Sequence, residues 1–257
     1  MSLDIDGLSF GYRKQHLFDR LDAADLRRGT VAALVGPNGV GKSSLFRLVA
    51  GLLTVGGGTI RLDGEDLGRL SPRRRSERVF LLSQQVSVRA ALSVFDVVLL
   101  ARKGARGIKA SSADIDRVEE VLETLGIEHL AERMVLELSG GQQQLVALGQ
   151  ALVREPDVLL LDEPTSALDL RRQLEVMHLV RKVTAERGMV TLAALHDLGF
   201  ASRFADRFLL LHDGRIAADG EPYEVLSSPH VEAAYGVGIR LERTSHGSLV
   251  VEPYMQR

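Results

Sequence analysis

No cysteine occurs in the chain, which excludes disulfides and thiolate chemistry. No stretch approaches the roughly 18 to 20 unbroken apolar residues that span a bilayer. The nearest, Ala90 to Ala101, is interrupted by Asp96. The opening MSLDIDGLSF lacks the basic start and apolar core of a secretory signal. Neither sign of charge dominates. With 32 basic and 34 acidic side chains the net charge is −2, so nothing global points to nucleic acid or an anionic membrane surface. Internal repeats and low-complexity linkers are missing as well. These absences lead us to expect a soluble, cytosolic protein. Its 257 residues, 45% of them hydrophobic, suffice for one large domain or a domain with a subdomain.

What is present centres on Gly36-Pro37-Asn38-Gly39-Val40-Gly41-Lys42-Ser43-Ser44. This is Gly, four residues, then Gly-Lys-Ser, a phosphate-loop pattern. Val31 to Val35 before it reads as a buried strand, and Leu45, Leu48, Val49 and Leu52 after it recur at helical spacing, with Gly51 as a stop. In such a frame successive backbone N–H groups turn toward a phosphate, and the helix start adds partial positive charge. Lys42 supplies a full charge for the β- and γ-phosphates, and the Ser43 hydroxyl suits Mg²⁺.

The rest of the chain alternates strands with helices, which predicts right-handed crossovers and a mainly parallel sheet. Leu3 to Phe10 and Leu17 to Leu26 read as half-buried strands, with Tyr12 on a turn after the first. The Tyr12 ring either stacks on a base or is an ordinary half-buried tyrosine. Thr59 to Leu62 is a strand, with a hairpin turn at Asp63-Gly64. Arg69 to Arg78, locally basic with Arg73, Arg74 and Arg75 consecutive, reads as a solvated helix face. Val79 to Leu82 is a strand that delivers Gln84. Helical periods follow at Val94 to Ala101 and Val118 to Leu125, separated by a basic loop from Arg102 to Lys109. Leu138-Ser139-Gly140-Gly141-Gln142 opens another helix. Val158 to Leu161 is an unbroken apolar run ending in Asp162-Glu163-Pro164 and reads as a central strand. A helix from Leu170 to Arg187, a strand from Met189 to Leu195 ending at His196, a hairpin around Asp213-Gly214, and a small helix with two short strands complete the chain.

Ligands in open parallel sheets gather beyond the carboxyl ends of the strands. The phosphate loop, Gln84, Asp162-Glu163 and His196 all fall there. Asp162 directly follows the strand and suits Mg²⁺ or its water. Glu163, one residue on, points elsewhere and suits a base that polarises water. An Asp-Glu pair alone could equally cap a helix. His196 is the histidine at a strand end with phosphate-side neighbours; His129 and His212 read as surface or turn residues.

Together these motifs, with Ser166-Ala167-Leu168-Asp169, resemble an ATP-binding cassette (ABC) ATPase from Tyr12 to about Gly220. The Ser-Gly-Gly signature is the feature specific to that family. The resemblance implies a phosphate-loop α/β fold: a mainly parallel central sheet, an antiparallel β subdomain and a helical insertion. It divides the chain into a catalytic core with the β subdomain (1–86 and 155–257) and a helical subdomain carrying the signature (87–154). It implies that Tyr12 stacks on adenine, that residues 36–44 hold the phosphates of ATP, and that Ser43, Gln84 and Asp162 serve Mg²⁺. It further implies Glu163 as general base and His196 as a γ-phosphate contact. Ser139, Gly140 and Gly141 would reach ATP held by a second copy, and Asp169 would touch that copy, so the working unit is a head-to-tail homodimer. Gln143, Leu145 and Ser44 depart from common family residues without removing a phosphate or metal ligand.

The segment from Leu159 to Leu174 and the end Glu232-Ala233-Ala234-Tyr235-Gly236-Val237 are similar to ATPases of iron-siderophore, haem and cobalamin importers. That implies a separate integral-membrane permease, a substrate-binding protein acting indirectly, no nucleic acid, and a place on the cytoplasmic face of the membrane. The apolar face of the helix from Ser93 to Ala101 would either help form a groove for a cytoplasmic helix of the permease or pack within the insertion. ABC ATPases of DNA repair or translation usually carry two cassettes or a long coiled coil, and one signature occurs here. A phosphate-loop kinase would not need Ser139-Gly140-Gly141.

Overall fold

The computed structural model describes residues 1–13, 15–83, 91–104, 110–166 and 168–255. The first sheet begins with β1 (Ser2–Tyr12) and β2 (Gln15–Arg27), an antiparallel pair whose alternating residues Leu3, Ile5 and Leu8 are buried. Next come β3 (Val31–Val35), buried at every position, and α1 (Lys42–Ala50), which stops at Gly51 in the left-handed conformation. Strands β4 (Gly57–Leu62) and β5 (Glu65–Asp66) flank the Asp63-Gly64 turn and complete a sheet of order β2-β1-β4-β5.

Helix α2 (Pro72–Arg78) starts from a Ser71 cap and leads into β6 (Val79–Leu82). Among the described residues, the α-helices α3 (Val94–Lys103), α4 (Ser112–Thr124) and α5 (Gly140–Leu152) precede the next strand. Of the basic loop expected from Arg102 to Lys109, Arg102 and Lys103 close α3, and residues 105–109 lie outside those described. After α5 come β7 (Val158–Asp162), α6 (Leu170–Arg187), β8 (Val190–Ala194) and α7 (Leu198–Phe204). The hairpin β9 (Arg207–His212) and β10 (Arg215–Gly220) follows. The chain closes with α8 (Pro222–Leu226), α9 (Pro229–Tyr235), β11 (Gly238–Arg243) and β12 (Leu249–Tyr254).

The central sheet has the order β10-β9-β3-β8-β7-β6, parallel except for the β9–β10 hairpin at one edge. Period-two geometry sends alternate residues to opposite faces. Ala33, Val35, Leu159 and Leu161 join one core with α3 to α7; Ala32, Leu34, Val158 and Leu160 join another with α1 and the antiparallel sheet. Because both faces are covered, the central strands read as continuous apolar runs. The ends of β3, β7 and β8 consequently open together on one edge.

Two expectations need correction. Arg69 to Arg78 is not simply a solvated face: Arg75 is buried, and its guanidinium donates to the Leu48 and Val49 carbonyls in the last turn of α1. Burial pulls its pKa below the usual arginine range. Tyr12 is not on a turn but is the last residue of β1.

Candidate functional site

The chain leaves β3 at Val35 and bends at Gly36 with φ 149°. A Cβ there would come 2.5 Å from the Leu211 carbonyl oxygen, so only glycine passes this close to the end of β9. Residues 37–41 cross to α1. Gly41 caps that helix with φ 113° and no side-chain hydrogen bond, leaving the first-turn amides available to an anion. Beneath it a Cβ would lie 3.0 Å from the Phe18 ring, so β2 supports the loop from below.

Lys42, first in α1, is 6% exposed and folds back, donating to the carbonyls of Gly36 at 2.6 Å and Pro37 at 3.0 Å. Burial lowers its pKa from the ordinary lysine value, with the charges of Glu163 and Asp162 opposing. Asp162 ends β7 and is 8% exposed. Glu163 takes φ 55°, the left-handed region that costs a side-chain-bearing residue strain. Its N–H donates to the Ala194 carbonyl at the end of β8, at 3.2 Å. The Glu163 carboxylate meets His196 Nε2.

A cleft of about 390 Å³ is lined by Asn38, Gly39, Gly41, Lys42, Ser43, Ser44, Glu163 and His196. Three strand ends thus bring together residues more than 150 positions apart. Tyr12 stands beside them, half exposed, its hydroxyl 3.2 Å from Ser44 Oγ and its ring edge-on to Phe10. Gln84 lies outside the described residues.

The signature residues are elsewhere. Ser139 caps α5 in a reciprocal box: its Oγ accepts from the Gln142 N–H, and Gln142 Oε1 accepts from the Ser139 N–H. Ser139, Gly140, Gly141 and Gln142 line a separate cleft of about 510 Å³ with Leu168, Asp169 and Arg172. No phosphate-loop residue lines it. Gln143 donates to the Val135 and Leu138 carbonyls, and Leu145 is buried, so both departures from the family pattern are absorbed locally.

Sequence reading missed three residues here. His129, an exposed residue in a 3-10 turn as expected, also lines the signature cleft, as does Arg172. Tyr235 accepts a hydrogen bond from the Gly36 N–H at 2.8 Å. Arg172 lies in the first turn of α6 beside Asp169, and His129 shortly precedes Ser139, whereas Tyr235 arrives from a distant element that no local pattern ties to the loop. His212 closes β9 beside Asp213.

The family model for ABC transporters matches residues 22–166. The chain belongs to the ABC transporter family. As a cassette of this family it binds ATP and is an ATPase. It is 37% identical over 253 residues, 98% of each chain, to an uncharacterized ABC transporter ATP-binding protein of Methanocaldococcus jannaschii. A hemin import ATP-binding protein of Rhodopseudomonas palustris is 36% identical over 261 residues, 98% of this chain and 95% of that one. Among solved structures, cbiO1 from Clostridium perfringens, part of the ABC transporter complex cbiONQ, aligns with TM-score 0.78 at 31% identity, over 90% of this chain and 92% of that one. The cassette fold is therefore both seen in the elements and shared with a solved relative.

Proposed function

We propose that this ABC ATPase drives an importer for an iron-siderophore, haem or cobalamin-type substrate through a separate membrane permease. The full-length likeness to a hemin import protein supports the substrate class. Among the described residues no helix is long and apolar enough to cross a membrane, which fits a peripheral subunit on the cytoplasmic face. Leu100 on α3, Met134 and Leu136 are exposed large apolar side chains, which fits a permease-docking surface on the helical subdomain 87–154. Residues 1–86 and 155–257 are then the catalytic core.

One observation carries the mechanism: the phosphate-loop cleft and the signature cleft are separate on one chain. Two copies placed head to tail put the Ser139-Gly140-Gly141 helix start of one, with Asp169, over the loop of the other. Each copy supplies half of each ATP pocket. Lys42 and the loop amides bind the phosphates, and Tyr12 flanks the base. Ser43, which lines the cleft, and Asp162, buried at the end of β7, carry hard oxygen donors that fit Mg²⁺, with Gln84 as a further ligand. When bound, the ion would screen phosphate charge. Glu163 accepts the proton of the attacking water, and His196 holds that carboxylate at the cleft edge and contacts the γ-phosphate. Positioning and electrostatics supply most of the rate, as in other phosphoryl transfers.

The test is Glu163→Gln. It should keep ATP binding, trap the dimer with saturating ATP in light scattering, and lower turnover roughly 10²- to 10⁴-fold, the usual worth of general base catalysis. Monomers only, even beside the permease, would overturn the reading.

A further inference from the structure

The last residue of α9 reaches into the phosphate loop from the far end of the chain. The Gly36 N–H donates to the Tyr235 hydroxyl across 199 positions of sequence. On the other side of the same residue, the Gly36 carbonyl accepts from Lys42. Gly36 is therefore held at both its polar groups while its backbone rests against Leu211.

Tyr235 is itself firmly placed. Val231, one turn earlier on the same face of α9, is 1% exposed. Gly236 then stops the helix with φ 68°, and its N–H closes on the Glu232 carbonyl at 2.8 Å. The Ile239 N–H reaches the Glu232 carboxylate as β11 begins. Burial pushes the Tyr235 hydroxyl up to about 12, with the Gly36 hydrogen bond opposing, so it stays neutral near pH 7 and remains an acceptor.

We propose that Tyr235 is a positioning residue of the nucleotide site, whose hydroxyl fixes the Gly36 peptide and thereby the carbonyls on which Lys42 rests. The C-terminal segment 222–254 is then part of the phosphate cradle rather than an appendage. The proposal rests on reading residues 36–44 as that cradle. To meet a triphosphate, the Lys42 ammonium exchanges two carbonyl partners for phosphate oxygens. A fixed Gly36 keeps that exchange short; a loose one lets the loop wander before binding.

Tyr235→Phe removes one neutral hydrogen bond and keeps the ring. ADP affinity by calorimetry should fall roughly 2- to 12-fold, the net worth of such a bond. In ATP turnover KM should rise by a similar factor while kcat holds, the pattern of lost uniform binding. The Gly36 amide should exchange faster with solvent deuterium. Unchanged ADP affinity in Tyr235→Phe, with binding abolished in Lys42→Ala, would overturn the proposal and leave the cradle intact. Unchanged affinity in Lys42→Ala would instead overturn the cradle reading. A wild-type measurement covers the case of a variant that folds poorly. Because coupling of binding free energies is reciprocal, saturating ADP should slow amide exchange in α9, and no slowing would overturn the proposal.

Discussion

Arg75 lies between Arg74 and Ser76 in a run with no apolar neighbour, yet its guanidinium is buried against the end of α1. The carbonyls of a last helical turn have no partner within the helix, and Arg75 supplies one to Leu48 and Val49. Arg75→Met should lower stability in urea unfolding by about 1–3 kcal/mol, the cost of leaving a buried acceptor without its donor. Arg73→Met, at an exposed position paired with Glu77, should change little. Glu163 and His196 behave in the opposite way. Their place at the cleft was readable from strand-end position, and the structure adds their direct contact. The left-handed bend at Glu163 has no signature in composition, because its N–H closes on the Ala194 carbonyl of a distant strand.

Two helix starts were legible, α5 after Leu138 and α6 at Leu170, and in the structure short polar side chains cap these and others. Ser93, Ser111, Ser139, Asp169 and Asp197 each accept from an amide three residues on. Ser139 caps α5 and also lines the signature cleft. Ser139→Ala should destabilise by about 0.5–2 kcal/mol, the range for losing such a cap. If the cleft closes over ATP held by a second copy, the variant should also lose turnover while single-chain ADP affinity in calorimetry stays the same. A parallel loss of ADP affinity would place Ser139 in its own chain's pocket instead. Strands β3, β7 and β8 were equally readable as apolar runs. The two-residue β5 was legible only through the Asp63-Gly64 turn before it.

At the scale of the molecule, a charged cluster ties the antiparallel sheet to the central one. Arg28 bridges Asp63, beside β4, and Asp157, before β7, and donates to the Gly188 carbonyl past α6. Arg78 joins Asp157 to Glu65 of β5. Burial alone would raise the Asp157 pKa, but hydrogen bonds from Arg78 and Arg28 outweigh it and hold the carboxyl below the usual aspartate value of 3.8. A depressed acid contributes stability that is present above its unfolded pKa and lost as pH falls through the folded one. Stability should therefore decline below about pH 4, and Asp157→Asn should lower stability at pH 7 while flattening that acid limb in thermal melts. A variant with the wild-type acid slope would show that other carboxylates dominate.

The sequence by itself determined the phosphate loop, the strand–helix alternation and the order of motifs. These depend on local rules: glycine where the backbone bends, apolar periods where a face is buried, short polar caps at helix starts. Only the tertiary structure decided which distant residues share a cleft. It set the signature cleft apart from the loop, put His129 beside Ser139, buried Arg75 under α1 and brought Tyr235 to Gly36. Those contacts join segments up to 199 positions apart, and no local pattern encodes them, because each is fixed by how the layers pack on the two faces of one sheet.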